Sequence, residues 1–311
     1  MVTEDGIVAA EKTADELVGR IFEGTLGMMD ILAIYLGDRL GLYRALHDGG
    51  SATASDLASR AGIDRRYALE WLEQQAVTGI LEVDDVTADA DARHYRVPVA
   101  YVDPLLDVEN PSIVPLARSA VAVASVMPQL IDAFRSGGGV AWADYGVDMI
   151  ESQGDFNRPW LVGSFATEML PAIPGVAERL VADPPARVAD VACGVGWAGI
   201  AIARAYPTVR VDGFDLDESS VELANEHARD AGVSDRVTFR VLDVADAEAG
   251  VYDLAVIIEA VHDMTQPAGV LASVRRMLAP DGVLLVADEK SEDAFTAPGG
   301  ELRLYGALGK M

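Results

Sequence analysis

The stretch Arg187-Val-Ala-Asp-Val-Ala-Cys-Gly-Val-Gly-Trp-Ala-Gly-Ile-Ala-Ile-Ala-Arg-Ala-Tyr206, continued by Val209-Arg-Val-Asp-Gly-Phe-Asp-Leu-Asp217, decides the fold. The apolar run Val188 to Val191 reads as a buried strand, and Gly194 and Gly196 make a tight turn after it. Ile200, Ile202, Ala203 and Tyr206 suit a helix packed on a sheet, and Pro207 ends it. Val209, Val211 and Phe214 begin a second strand that closes on Asp215.

Glycines let the backbone approach a bound molecule, and an acid at the end of the second strand can accept from both hydroxyls of a ribose. The unit therefore points to an adenosine-containing ligand. The spacing Gly194-x-Gly196-x-x-Gly199 fits a dinucleotide site literally. Asp190 argues the other way. Its carboxylate would repel a pyrophosphate and attract a ligand bearing an ammonium or sulfonium group.

The pattern repeats downstream. Val237-Thr-Phe-Arg-Val-Leu-Asp243 reads as a third strand ending in an acid. Tyr252-Asp-Leu-Ala-Val-Ile-Ile-Glu259 reads as a fourth. Val283-Leu-Leu-Val-Ala-Asp-Glu289 reads as a fifth, after a helix and the turn Pro280-Asp-Gly282. Carboxylates thus recur where parallel strands meet a ligand crevice. Residues 187–290 resemble the class I S-adenosylmethionine-dependent methyltransferases, whose first loop runs acid-x-Gly-x-Gly-x-Gly. Here Ala192 replaces the first of those glycines. The resemblance implies an α/β fold with a Rossmann-like, mostly parallel sheet and S-adenosylmethionine as cofactor. It implies Asp190, Gly194 and Gly196 around the methionine part, Asp215 on the ribose and Asp243 on the adenine amino group. Their neighbours Ala192, Leu216 and Val244, and Glu259 at the fourth strand's end, complete the set. The family adds a helix and two strands after the fifth, whereas the sequence to Met311 has room for one short helix. A sheet of about five strands, lacking the final two, is the expectation.

The 311 residues allow two domains, and half of them are hydrophobic. The single cysteine, Cys193, excludes an intrachain disulfide and a cysteine-based metal site. The four histidines, His47, His94, His227 and His262, lack metal-ligand spacing, and no metal is expected. Fifty acids against 24 bases give a formal charge of −26, which disfavours nucleic acid and anionic membranes as partners. Without an apolar run of spanning length or a signal-like start, a soluble cytoplasmic protein is expected.

Residues 13–36 read as a helix with an apolar stripe of Leu17, Ile21, Leu26, Met29, Leu32 and Leu36, suited to core or a subunit interface. A helix capped by Thr53 or Ser55 and stopped at Gly62 precedes a second, capped by Asp64. Ile80–Val83 and His94–Val97 can pair as a hairpin. Together these resemble a winged helix. The DNA-binding reading conflicts with Glu70 and Glu73 on the second helix and with the total charge. A winged helix before a methyltransferase domain is also similar to the small-molecule O-methyltransferases, where the first domain mediates dimerisation; a homodimer acting on a small molecule is implied. Domains are expected over residues 1–110 (winged helix), 111–180 (helical connector, with one apolar helix over 111–135) and 181–311 (cofactor domain). Tyr145, Met149 and Trp160 in the aromatic-rich connector are candidate substrate-lining residues.

After the fourth strand comes Glu259-Ala-Val-His262-Asp263-Met264. An imidazole at the sheet's carboxyl edge can take a proton from a hydroxyl near neutral pH. Asp263 or a later carboxylate can orient it. His262-Asp263 resembles the His-Asp-Trp motif of plant phenolic and bacterial polyketide O-methyltransferases, with Met264 in place of tryptophan. That resemblance implies His262 as general base, supported by Asp288 or Glu289. The competing readings are an NAD-linked oxidoreductase and an inactive or regulatory winged-helix protein.

Overall fold

The computed structural model describes residues 13–106 and 112–289, which fall into two compact units: residues 112–121 belong with the first and 122–289 with the second. The single short helix expected after Glu289, in place of a helix and two further strands, lies outside the described residues.

The first unit opens with α1 (Ala14–Arg39), nucleated by a capping box in which Thr13 and Glu16 satisfy each other's backbone N–H groups. Gly41, at φ 65°, breaks the chain before α2 (Leu42–Gly49). Thr53, not Ser55, caps α3 (Ala54–Ala61), which Gly62 ends in a left-handed conformation. Asp64 caps α4 (Arg65–Val77). The hairpin pairs β1 (Glu82–Val83) with β2 (Tyr95–Arg96) antiparallel. The winged-helix reading holds, around a core of Leu42, Tyr43, Leu46, Leu57, Leu72 and Tyr95. The stripe of α1 stays outside that core. Leu17, Ile21, Leu26, Met29, Leu32 and Leu36 are all exposed.

A short helix, α5 (Val102–Leu106), follows. The single helix expected over 111–135 is two: α6 (Val114–Ser125) and α7 (Met127–Ser136), separated at Val126. Pro128 explains the break. It lacks an N–H and fits only the first turn of a helix, so a new helix starts there. Among the described residues no single helix is long and apolar enough to cross a membrane.

In the second unit α8 (Gly146–Trp160) runs directly into a π-helix, Leu161–Met169. Pro159 sits at the junction and cannot continue the i→i−4 ladder. After α9 (Val176–Leu180) come β3 (Arg187–Val191), α10 (Trp197–Ala205), β4 (Arg210–Asp215), α11 (Glu218–Asp230), β5 (Val237–Val241), β6 (Tyr252–Ile258), α12 (Pro267–Met277) and β7 (Leu278–Ala287). The five strands β3–β7 form a sheet in the order β5-β4-β3-β6-β7, every pair parallel. The chain starts at the centre, builds outward on one side, then crosses to the other. That reversal puts a topological switch point between β3 and β6. β7 is longer than expected. Its pairing jumps from Tyr252↔Leu278 to Leu254↔Val283, and the bulge holds Pro280-Asp-Gly282.

Alternation sets the two faces. Val188, Leu254 and Val256 join α10 and α11 in one core, while Ala189, Val191, Ala255 and Ile257 join α12 in the other. By the same alternation Asp190 shares the face of Val188 and points toward α10.

Candidate functional site

The switch point brings two loops together. Val191 pairs with Ile257, so the glycine turn after β3 and the segment Glu259–Asp263 after β6 leave the same edge of the sheet from neighbouring strands. Both begin with a left-handed residue that is not glycine: Ala192 at φ 54° and Glu259 at φ 50°. Such backbone costs a residue with a Cβ about 1–2 kcal/mol, and it concentrates at functional sites. The angle at Ala192 explains why glycine suits that position in the resembled loop.

Asp190 is 1 % exposed, and its Oδ2 accepts the backbone N–H of Gly199 at 2.8 Å. Burial pushes its carboxyl up to about 7; the Gly199 hydrogen bond opposes this and the nearby Asp215 adds to it. Gly199 is the third residue of α10. A carboxylate therefore already occupies one of the N–H groups that a pyrophosphate would need at this helix start. A Cβ at Gly199 would lie 3.0 Å from that carboxylate and from the Val211 side chain, so a side chain there would crowd both.

Gly194, at φ 49°, faces open space. Its N–H donates to Asp215 Oδ2 at 2.8 Å, and the N–H of Asp217 donates to Oδ1 at 3.0 Å. Each oxygen keeps a lone pair for a further donor. Gly196, at φ 84°, sits where a Cβ would meet Phe239 at 2.6 Å. Leu216 is exposed beside Asp215, whereas Val244 is buried beside Asp243. Asp243 opens a 3-10 turn by accepting from Ala245 at 2.8 Å. Ala192, Gly194, Gly196 and Asp215 thus meet at one edge of the sheet, with the Asp190 carboxylate buried beneath them toward α10. Burial, with Asp190 and Asp215 nearby, pushes the Cys193 thiol well above its ordinary value.

His262 lies in a single 3-10 turn, Val261–Asp263. Its Nδ1 is 2.5 Å from Asp288 Oδ1, and Nε2 is 3.4 Å from Asp263 Oδ2. Partial burial works to lower the imidazole's pKa. The hydrogen bond to Asp288 and the charges of Asp263, Asp288 and Glu289 outweigh it, and the result lies above the ordinary value. Asp288 goes down: burial opposes this, but the hydrogen bonds from His262 and from the Glu289 backbone prevail. Glu259 and Glu289 go up, chiefly through burial, with other carboxylates nearby. Of the two acids offered as supports for His262, the structure places Asp288 on the ring.

Tyr145, Met149 and Trp160 lie on or beside α8. Tyr145 is half-buried near Trp142, Met149 is buried, and the Trp160 ring packs edge-to-face on Phe165 at 5.5 Å. α8 approaches the glycine turn closely at Gly154, where a Cβ would collide with the Val195 side chain. Sequence reasoning missed the residues bracing that turn. Trp197 stacks on His227 at 4.4 Å, with the Arg158 guanidinium 4.2 Å from its centroid. No local spacing connects those three positions.

Residues 182–303 match the family described as "Methyltransferase domain", and residues 28–103 match the "Rv2258c-like winged HTH domain". Over 104 residues the chain is 34 % identical to 27-O-demethylrifamycin SV methyltransferase of Amycolatopsis mediterranei, covering 33 % of this chain and 38 % of that protein. Over 100 residues it is 33 % identical to a ubiquinone biosynthesis O-methyltransferase of Neisseria meningitidis, covering 32 % and 42 %. The match thus spans well under half the length of these relatives. The fold is shared more widely. A mitomycin 7-O-methyltransferase superposes with a TM-score of 0.62 at 21 % identity, covering 91 % of this chain and 82 % of that one. Human N-acetylserotonin methyltransferase, solved in complex with SAM, gives 0.62 at 17 % identity, covering 90 % and 81 %. The chain therefore joins a winged helix-turn-helix domain to a methyltransferase domain.

Proposed function

We propose that this chain is an S-adenosylmethionine-dependent methyltransferase that acts on a hydroxyl of a small molecule, with His262 as general base. One observation carries the reading: a histidine braced by a carboxylate stands in the turn after β6, beside the glycine turn that follows β3, at the same edge of the sheet. When bound, the cofactor supplies an electrophilic methyl group on a sulfonium centre. The residues around it do the rest. Asp190 would oppose the positive charge, Asp215 would accept from the ribose hydroxyls, and Asp243 would accept from the adenine amino group. Ala192, Gly194, Gly196, Leu216, Val244 and Glu259 line the same crevice. With its Nδ1 proton held by Asp288, His262 would offer Nε2 to the acceptor hydroxyl and take its proton, leaving the oxygen nucleophilic. Asp263 and Glu289 stabilise the imidazolium, while Tyr145, Met149 and Trp160 border the acceptor. Alignment and proton removal are the protein's contribution.

The NAD reading is weaker because Asp190 occupies the start of α10. DNA binding is weaker because four arginines of the winged helix are paired with acids. Arg65 pairs with Asp91, Arg66 with Glu70, Arg93 with Glu73 and Arg96 with Glu82. The exposed stripe of α1 supports a homodimer, and a cytoplasmic location belongs to the same proposal.

Calorimetry with S-adenosylhomocysteine and with NAD, followed by methyl transfer from labelled S-adenosylmethionine to a phenol panel, tests it. Binding of the first ligand alone, and label on an acceptor oxygen, are expected. Binding of NAD alone would overturn the reading.

A further inference from the structure

The glycine turn is gripped from two sides by residues that the reading above leaves without a role. The imidazole Nδ1 of His227, on α11, is 3.0 Å from the carbonyl oxygen of Val195. A carbonyl only accepts, so Nδ1 carries the proton. That carbonyl shares a peptide unit with the N–H of Gly196, and a planar trans peptide fixes one when the other is held. The Gly196 N–H in turn donates to Cys193 O at 2.9 Å and closes the turn. Holding Val195 O therefore holds the turn shut and leaves Gly194 at its open tip.

The grip continues through Trp197, the first residue of α10 and only 8 % exposed. Its indole lies nearly parallel to the His227 ring, at 19° and 4.4 Å. The Arg158 guanidinium carbon is 4.2 Å from the same indole centroid. Two groups this close to one ring must take opposite faces, so the stack runs Arg158–Trp197–His227. Arg158 is one helical turn beyond Gly154, on the same face of α8, and the Val195 side chain fills the space that a Cβ on Gly154 would need. Asn225, also on α11, hydrogen-bonds Phe239 through both its amide nitrogen and its oxygen, at 3.0 and 3.3 Å. Phe239 is the residue against which Gly196 sits. The turn is thus seated between α8 and α11.

We infer that His227 is a positioning residue for the methyl donor, holding the Val195–Gly196 peptide so that the turn presents the correct surface to it. The inference rests on the cofactor assignment above. A packing residue would need only the shape of the ring. A positioning residue needs the donor.

Two substitutions separate these. His227→Phe keeps an aromatic ring on Trp197 and removes the donor. His227→Asn keeps an N–H donor near the same place and removes the stack. S-adenosylhomocysteine is titrated into each by calorimetry, with thermal unfolding of the unliganded proteins alongside. If the released turn must be re-formed when the ligand binds, the net worth of one neutral hydrogen bond, about fivefold, is lost from the affinity. That loss is expected for Phe, with Asn within about twofold of the native protein. If Phe does not fold, His227→Ala takes its place against Asn. Equal affinity of the Phe variant and the native protein overturns the inference. So does an Asn variant as weak as the Phe or Ala variant. Failure of the native protein to bind the ligand overturns the cofactor assignment itself, a separate result.

Discussion

Asp288 holds His262 at two points: Oδ1 meets the ring Nδ1, and Oδ2 accepts the His262 backbone N–H at 3.3 Å. One carboxylate therefore fixes the imidazole's orientation and the turn that carries it. It also selects the tautomer, since a ring that donates from Nδ1 has its lone pair on Nε2. Asp288 follows β7 directly, and His262 follows β6. Their meeting is a consequence of strand adjacency, Ile258 pairing with Ala287.

If His262 is the base, His262→Ala removes proton transfer and leaves the glycine turn intact. Turnover is expected to fall by about 10²–10⁴, with S-adenosylhomocysteine affinity within about threefold. Asp288→Asn keeps the shape and loses the charge, so a smaller fall in turnover is expected. Near-normal turnover in His262→Ala would remove the base assignment.

The pH profile follows from the same geometry. Both ring nitrogens face carboxylates, so the imidazolium is favoured and the group titrates above its ordinary 6.5. A base must be deprotonated, so kcat is expected to rise with pH along a limb centred above 6.5 and then level off. Asp263 opposes deprotonation, and Asp263→Asn should move the rising limb to lower pH. A limb that moves up or stays still contradicts the arrangement.

Much of this was legible because it is local. Alternation marked the strands, Thr53 and Asp64 marked helix starts, and acids at strand ends marked the crevice. Other features depended on distant partners. Arg158, Trp197 and His227 come from three elements, and nothing in their spacing signals a stack. Proline was the underused local signal: Pro128 starts α7, and Pro159 stands where α8 passes into the π-helix.

Asp190 predicts a proton count. Its carboxyl, raised to about 7, is partly protonated at pH 6.5 in the free protein. The sign for stability is unfavourable to ionisation: the buried acid's contribution is complete below about pH 4 and is lost as pH rises through 7. A cationic donor pulls the pKa down, so binding near pH 6.5 should release a fraction of a proton and binding at pH 9 none. Calorimetry with S-adenosylmethionine in buffers of different ionisation enthalpy reads this. The His262→Ala background removes the other group that titrates in this range at the site. Heats independent of buffer at pH 6.5 would exclude Asp190 as the partner of the positive charge.

Ala192 carries a measurable cost. Glycine at φ 54° escapes the Cβ penalty of about 1–2 kcal/mol but gives back about 0.5–1 kcal/mol through the freer unfolded chain. Ala192→Gly is therefore expected to stabilise the protein by roughly 0.5–1 kcal/mol, read from denaturant unfolding. Destabilisation would mean that the methyl group makes contacts worth more than the strain.

The exposed stripe of α1 makes the last prediction. Ile21 and Phe22 are each 60 % exposed, on a helix whose neighbours Leu17, Val18, Leu26, Met28 and Met29 are also exposed. A continuous apolar surface of this kind marks an interaction site, and a second copy offers the same surface in return. Charge works against the pairing, because each chain carries −26. Apolar burial must then exceed long-range repulsion, and added salt, which screens that repulsion, should tighten the dimer. An interface built from ion pairs would loosen instead. Replacing both Ile21 and Phe22 by Glu removes about 1.5–3 kcal/mol per side chain from each copy and adds four charges across the contact. Sedimentation is expected to show a native dimer that strengthens with salt and a variant monomer with the native unfolding midpoint of the second unit. A native protein that sediments as a monomer at micromolar concentration in molar salt would leave this stripe to some other partner.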